Sequence, residues 1–130
     1  MSEGVARGIV VAHGSMAHGL VDAVRRIAGG SADVLIPLSN EGMSPAELKA
    51  KLEELAGEDR VIVFADLLSG SCGMAAMVSA RDRASRAVLC GVNLPILLDF
   101  VFHRDLPLDE LVSRLVNKGR DGIRKLPESA

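Results

Sequence analysis

Apolar residues in this chain gather in short, nearly continuous runs, and between the runs they recur at helical spacing. Val5 to Ala12 is the first such run. Its apolarity without regular alternation predicts a strand buried on both faces. Ser15 to Ala28 follows with Leu20, Val21, Val24 and Ile27 on one helical stripe, and Gly29-Gly30 stops it. Ala32 to Pro37 predicts a second short strand. The stretch NEGMSPAELKAKLEELAG carries a complete helix start: Ser44 at the N-cap, Pro45 after it, and Glu47 placed to close a capping box. Leu48, Leu52 and Leu55 then form one stripe, and Gly57 ends it. RVIVFAD, ending at Asp66, predicts a third strand, and RAVLCGVNLP a fourth running into a turn. Between them lie a glycine- and serine-rich loop, LLSGSCG, and a short helix of small residues, MAAMVSARDR. PILLDFVFHR and PLDELVSRLVNKG predict two further helices, the second with Leu111 and Leu115 four apart. GIRKL predicts a short edge strand, and PESA a frayed end.

Strands alternating with helices over short connections imply an α/β fold. It is a doubly wound, mainly parallel sheet of four strands with helices on both faces and right-handed crossovers. At 130 residues the chain has the length of one domain, and 48% hydrophobic residues suffice for a core without staples. A net charge of −2 and an aromatic content of 2% supply neither the basic surface nor the stacking platforms of a nucleic-acid binder. No uninterrupted apolar stretch approaches the roughly 18 residues of a membrane span. MSEGVARG lacks the apolar region of a signal peptide, and Cys72 and Cys90 form neither a CxxC pair nor a disulfide framework. These features together predict a cytoplasmic protein with reduced thiols.

Ligands of open parallel sheets bind beyond the carboxyl ends of the strands, near the point where strand order reverses. Three predicted strand ends carry polar or glycine-rich groups: His13-Gly14-Ser15, Asp66 through Ser69, Gly70 and Ser71, and Gly91-Val92-Asn93. They converge if strands one, three and four are neighbours. Imidazole, with a reference pKa of about 6.5, is a nucleophile near neutral pH. A carboxylate on Nδ1–H, supplied by Asp66, would fix the tautomer and leave the Nε2 lone pair free. The plainer reading of His13 is a cap on the following helix. Ser69, Ser71 and the start of the next helix could hold an anion, or form an ordinary turn with a serine N-cap. The chain has neither a Walker loop nor a dinucleotide fingerprint. A protein handling phosphate without a nucleotide pocket must receive it from another molecule, which points to a phosphohistidine relay. His13, His18 and Asp66 make an incomplete metal set, because residues five apart sit on different faces of a helix, so no metal is expected. His103 is expected to be isolated and solvated, and Met16, Met43, Met74 and Met77 to be packing groups.

VVAHGSMAHGL, VFADLLSGSCGMAA and GVNLPILLD occur in this order over nearly the whole chain. Together they resemble the enzyme IIA domain of the mannose-type branch of the bacterial phosphoenolpyruvate-dependent sugar phosphotransferase system. The resemblance implies a single IIA domain over residues 1–130 and an antiparallel C-terminal edge strand, here GRDGIRKL, used in a homodimer contact. It implies that His13 takes phosphate on Nε2 from the phosphocarrier protein HPr. The phosphate then passes to a IIB protein on a separate chain, so that the membrane permease is met only indirectly and no cofactor is used. Asp66 and Ser71 match the family's strand-end aspartate and loop serine, and Gly14, Ser15, Ser69 and Gly70 complete the phosphate-binding loops. The chain departs from the family's loop in having Ser69 for a glycine, Cys72 for a proline and Met74 for an asparagine. His18 stands where an acidic residue is common. Two other roles use the same chemistry: a regulatory phosphoprotein acting on a kinase or transcription factor, and a dihydroxyacetone kinase phosphotransfer subunit.

Overall fold

In the computed structural model of the chain, which describes residues 5–81 and 83–128, strands and helices alternate. The strands are β1 (Arg7–Ala12), β2 (Leu35–Ser39), β3 (Val61–Ala65) and β4 (Arg86–Cys90). The helices are α1 (Met16–Ala28), α2 (Pro45–Ala56), α3 (Ser71–Ala80), α4 (Leu94–Val101) and α5 (Leu108–Asp121), with a 3-10 turn over Gly29–Val34. The strands form one parallel sheet in the order β2-β1-β3-β4. The chain therefore steps from β1 to one side and then returns to build the other, and the reversal point lies between β1 and β3.

Alternate side chains of β1 and β3 feed two cores. Val10, Ala12, Ile62 and Phe64 pack with α1, α4 and α5, while Ile9, Val11, Val61, Val63 and Ala65 pack with α2 and α3. Both strands are buried on both faces, which is why their sequences are apolar without alternation. Gly8 belongs to this packing. A Cβ there would come within 2.8–3.2 Å of Leu35, Phe100 and Phe64, and those two phenylalanine rings meet edge to face at 5.2 Å.

Most expected elements form, with shifted ends. The capping box of α2 is complete: Ser44 Oγ accepts from the Glu47 N–H, and the Glu47 carboxylate accepts from the Ser44 N–H. β2 starts at Leu35 rather than Ala32, because Gly29 to Val34 wind as a 3-10 turn and the ladder begins where Leu35 meets Gly8. Ile27, expected on the core stripe of α1, is exposed; Ala17, Val21 and Val24 line the buried face. α3 starts at Ser71, three residues before the expected Met74, because Gly70 turns in at φ 106°. Asp82, within the expected third helix, lies outside the described residues, as do Met1–Gly4 and the last two residues of PESA.

The expected C-terminal edge strand is not formed among the described residues. The N–H groups of Gly122 and Ile123 bond back to Lys118 and Arg120 of α5, and the segment beyond is exposed and finds no ladder partner within one chain. Met16, Met74 and Met77, expected to pack, are exposed instead; Met43 packs beneath α2.

Gly73 sets the loop before α3. A Cβ there would lie 2.4 Å from the Leu67 carbonyl oxygen and 2.5 Å from that of Leu68, both backbone atoms. Gly73→Ala is expected to lower unfolding stability by about 1–3 kcal/mol, the usual cost of overpacking a close approach. Urea unfolding checks this; an unchanged midpoint would show that the loop yields without cost.

Candidate phosphoryl-transfer site

β1 and β3 end side by side. Val11 pairs with Ala65, and the Asp66 N–H donates to the Val11 carbonyl at 3.3 Å. The next residues out of the ladder, His13 and Asp66, must therefore meet. The His13 backbone N–H donates to Asp66 Oδ2 at 2.9 Å, and His13 Nδ1 lies 2.8 Å from the same oxygen. Asp66 Oδ1 accepts the Leu67 N–H at 2.9 Å. The imidazole is 44% exposed and the carboxylate 8%. The acid is thus sunk into the sheet edge while the ring reaches solvent.

Burial pushes the Asp66 carboxyl pKa up, but His13 outweighs it through its backbone N–H, its ring and its charge, helped by the Leu67 N–H. The net shift is downward, so Asp66 is ionised at neutral pH and only accepts hydrogen bonds. In the neutral ring the proton then belongs on Nδ1, and Nε2 carries the free lone pair. Gly70 faces that side of the ring: a Cβ built on it would lie 3.5 Å from His13 Cε1 and 3.7 Å from Nε2. With φ at 106°, the position both favours glycine and leaves room beside Nε2.

A residue absent from the sequence-based site comes from the end of β2. Asn40 Oδ1 accepts the Gly14 N–H at 3.2 Å, and its Nδ2 donates to Ser71 Oγ at 3.4 Å. Ser39 Oγ donates to the Gly14 carbonyl at 2.7 Å. The available signal was the polar pair Ser39-Asn40 closing the second strand, the other neighbour of β1 at the reversal point. Ser15 is the N-cap residue of α1 but makes no side-chain cap bond; it and Ser69 are exposed. Helices α1 and α3 both begin at this edge, offering backbone N–H groups that have no intrahelical acceptor.

Other candidates lie elsewhere. β4 does adjoin β3, but Asn93 caps α4 through the Ile96 N–H at 3.1 Å and donates to the Gly119 carbonyl at 2.8 Å. His18 is exposed on α1. His103 is neither isolated nor fully solvated. It is half-buried with Nδ1 2.8 Å from the Asp99 carbonyl, and the Asp99 carboxylate takes a two-pronged bond from Arg114 at 2.8 and 3.0 Å. The fold instead brings Cys72 to His13 and Asp66: one ligand atom from each lies within 4.8 Å of the others. Burial and the Asp66 charge push the Cys72 thiol up to about 11.

No helix among the described residues is long and apolar enough to cross a membrane. Residues 8–116 match the family model EIIA-man, described as PTS system fructose IIA component. The chain is 28% identical over 124 residues to the PTS system mannose-specific EIIAB component of Escherichia coli K12, a match covering 91% of this chain and 38% of that protein. It thus spans about two fifths of the length of that relative. A phosphotransferase system component EIIA from Streptococcus agalactiae superposes with a TM-score of 0.85 at 25% identity, covering 92% of this chain and 96% of that one. The mannose/sorbose specific IIA subunit from Enterococcus faecalis gives 0.83 at 26% identity, covering 97% and 99%. With the family model spanning most of the sheet and its strand-end loops, this chain belongs to the EIIA-man family.

Proposed function

We propose that residues 1–130 act as one IIA domain in the cytoplasm, with His13 as a phosphoryl carrier between phospho-HPr and a IIB partner of the mannose family. The observation carrying this reading is the 2.8 Å bond between His13 Nδ1 and the ionised Asp66, which leaves an exposed ring with its reactive nitrogen outward. Nε2 attacks the phosphorus of a donor phosphohistidine in line; the new N–P bond forms as the donor's N–P bond breaks. Such transfer depends on positioning and charge stabilisation. Asp66 holds Nδ1–H and stabilises the positive charge the ring acquires. Ser71 and the first turns of α1 and α3 hold the equatorial oxygens, with Gly14, Ser15, Ser69 and Gly70 shaping the cradle. Both bonds are phosphoramidates, so the step is near thermoneutral and the phosphate leaves again readily.

Protein partners suit the surroundings. Exposed Met16, Leu67, Leu68 and Met74 border the same loops, an apolar rim of the kind found at docking surfaces. The family resemblance also supports a homodimer. β4 is an outer strand of the sheet, and a cavity of about 370 Å³ beside it is lined by Cys90, Asn93, Ile96, Val116 and Ile123. Exposed Ile123 and Leu126 supply apolar surface for that contact.

His13→Ala is expected to abolish acid-labile, base-stable labelling by phosphoenolpyruvate, enzyme I and HPr, measured by intact-mass spectrometry; a variant that still labels would reject His13 as the acceptor. Adding a cognate IIB protein should then discharge the labelled parent chain, and a stable label would favour a regulatory role. Asp66→Asn should slow transfer with the fold intact. Because the folded pKa of Asp66 is lowered, its contribution to stability is complete above an ordinary carboxylate pKa of about 4 and is lost as pH falls through the folded value. The parent's stability advantage over Asp66→Asn should therefore shrink in acid, and a constant difference would count against the pairing. Ser71→Ala should cost about 1–3 kcal/mol of phosphoryl stabilisation, roughly a 5- to 160-fold slower transfer. Sedimentation velocity tests assembly: the parent should run as a dimer, and Ile123→Asp with Leu126→Asp should shift it to monomer. A monomeric parent rejects the dimer.

A further inference from the structure

His13, Asp66 and Cys72 come from three places, the ends of β1 and β3 and the first turn of α3, and meet within 4.8 Å. An imidazole, a carboxylate and a thiol are the donor set of a borderline-soft divalent ion. Three protein ligands with a fourth position open to solvent describe an accessible zinc site rather than a closed structural one. The trio read from the sequence was His13, His18 and Asp66. Folding leaves His18 out on α1 and puts the Cys72 sulfur in its place. We propose that this cluster binds a thiophilic divalent cation of the zinc class through His13, Asp66 and Cys72, with water as fourth ligand, and that occupancy switches off phosphoryl transfer at His13.

The geometry is close to what the ion needs. Tetrahedral zinc with bonds of about 2.0–2.3 Å holds its ligand atoms about 3.3–3.8 Å apart. Closing from 4.8 Å asks for side-chain shifts on the order of 1 Å. The donors are built into the fold: the Asp66 carboxylate is 8% exposed and oriented by N–H groups of His13 and Leu67, and Cys72 is fully buried. The exposed ring of His13 supplies the approach. On binding, the Cys72 thiol releases its proton to water and the thiolate takes the metal.

Nδ1 lies 2.8 Å from Asp66 Oδ2 and is the ring nitrogen placed beside the other donors. An ion there displaces the bond to Asp66 and leaves the proton on Nε2, so the lone pair that would attack phosphorus is lost. The switching half of the proposal rests on His13 as phosphoryl acceptor; the binding half does not.

Cobalt(II) is the probe, because thiolate ligation gives it a near-ultraviolet charge-transfer band. The full chain, reduced and free of phosphoryl donors, is titrated with Co²⁺ and then with competing Zn²⁺. One equivalent should bind with the thiolate band and be displaced by zinc. Cys72→Ala, Cys72→Ser and His13→Ala should each weaken binding by more than the roughly 10–100-fold typical of an outer-shell change. The two Cys72 variants should also lose the band, and Cys90→Ser should keep it. A band that survives Cys72→Ala, a band lost in Cys90→Ser alone, or a parent chain that binds neither ion overturns the site. In a second arm, purified phospho-HPr, separated from enzyme I, is offered to metal-free and zinc-loaded chain. Zinc loading should block labelling, and chelation should restore it. Labelling of the zinc-loaded chain at the metal-free rate overturns the switch. A metal-free chain that takes no label overturns the phosphotransfer reading and the switch with it, while the cobalt titration decides the site.

Discussion

The parallel pairing of β1 with β3 is the constraint on which the site depends. Once Val11 is set opposite Ala65, the backbone has no freedom to keep His13 and Asp66 apart. The aspartate takes both the main-chain N–H and the ring of the histidine on one oxygen, so a single carboxylate positions the residue twice. Burial of the acid alone would favour its neutral form; the donors around it keep it charged. The strength of the arrangement lies in the unequal exposure of the two side chains. A pair sunk fully into the core would hold its charge but could not be reached, and a pair on the open surface would be screened and mobile.

Support for that pair comes from β2, on the far side of β1. Asn40 bridges the Gly14 N–H and the Ser71 hydroxyl, and Ser39 holds the Gly14 carbonyl. The loop after β1 and the start of α3 are thereby tied through a third strand end. Reversal of strand order makes this possible, because β1 then has a neighbour on each side, and both neighbours end at the same edge.

The loop departures acquire a physical meaning only when placed. Cys72 lies in the first turn of α3, where a proline's missing N–H would be tolerated, so the backbone accepts either residue. The cysteine changes the chemistry: a buried thiol now stands beside the aspartate that orients the ring. Met74, one turn in, points an apolar side chain to solvent at the same edge.

Strand and helix content, the layered parallel sheet, the capping box of α2 and the places of His13 and Asp66 at strand ends were legible in the sequence, whereas Ser71, read as a loop residue, opens α3. Local periodicity and turn chemistry carry that information. The shifted start of β2, the early start of α3 and the exposure of Ile27 were not, because ladder partners and helix docking set those boundaries. The GIRKL segment shows the same limit: its composition suits a strand, but a strand exists only where another backbone accepts its hydrogen bonds. His103 found Asp99 four residues back on α4, a local contact whose value depends on Arg114 arriving from α5. What the sequence determined by itself was which groups stand at the ends of buried strands. That Asn40 joins them, that His18 does not and that Cys72 does was decided by tertiary structure, because those distances depend on strand order and helix placement rather than on spacing along the chain.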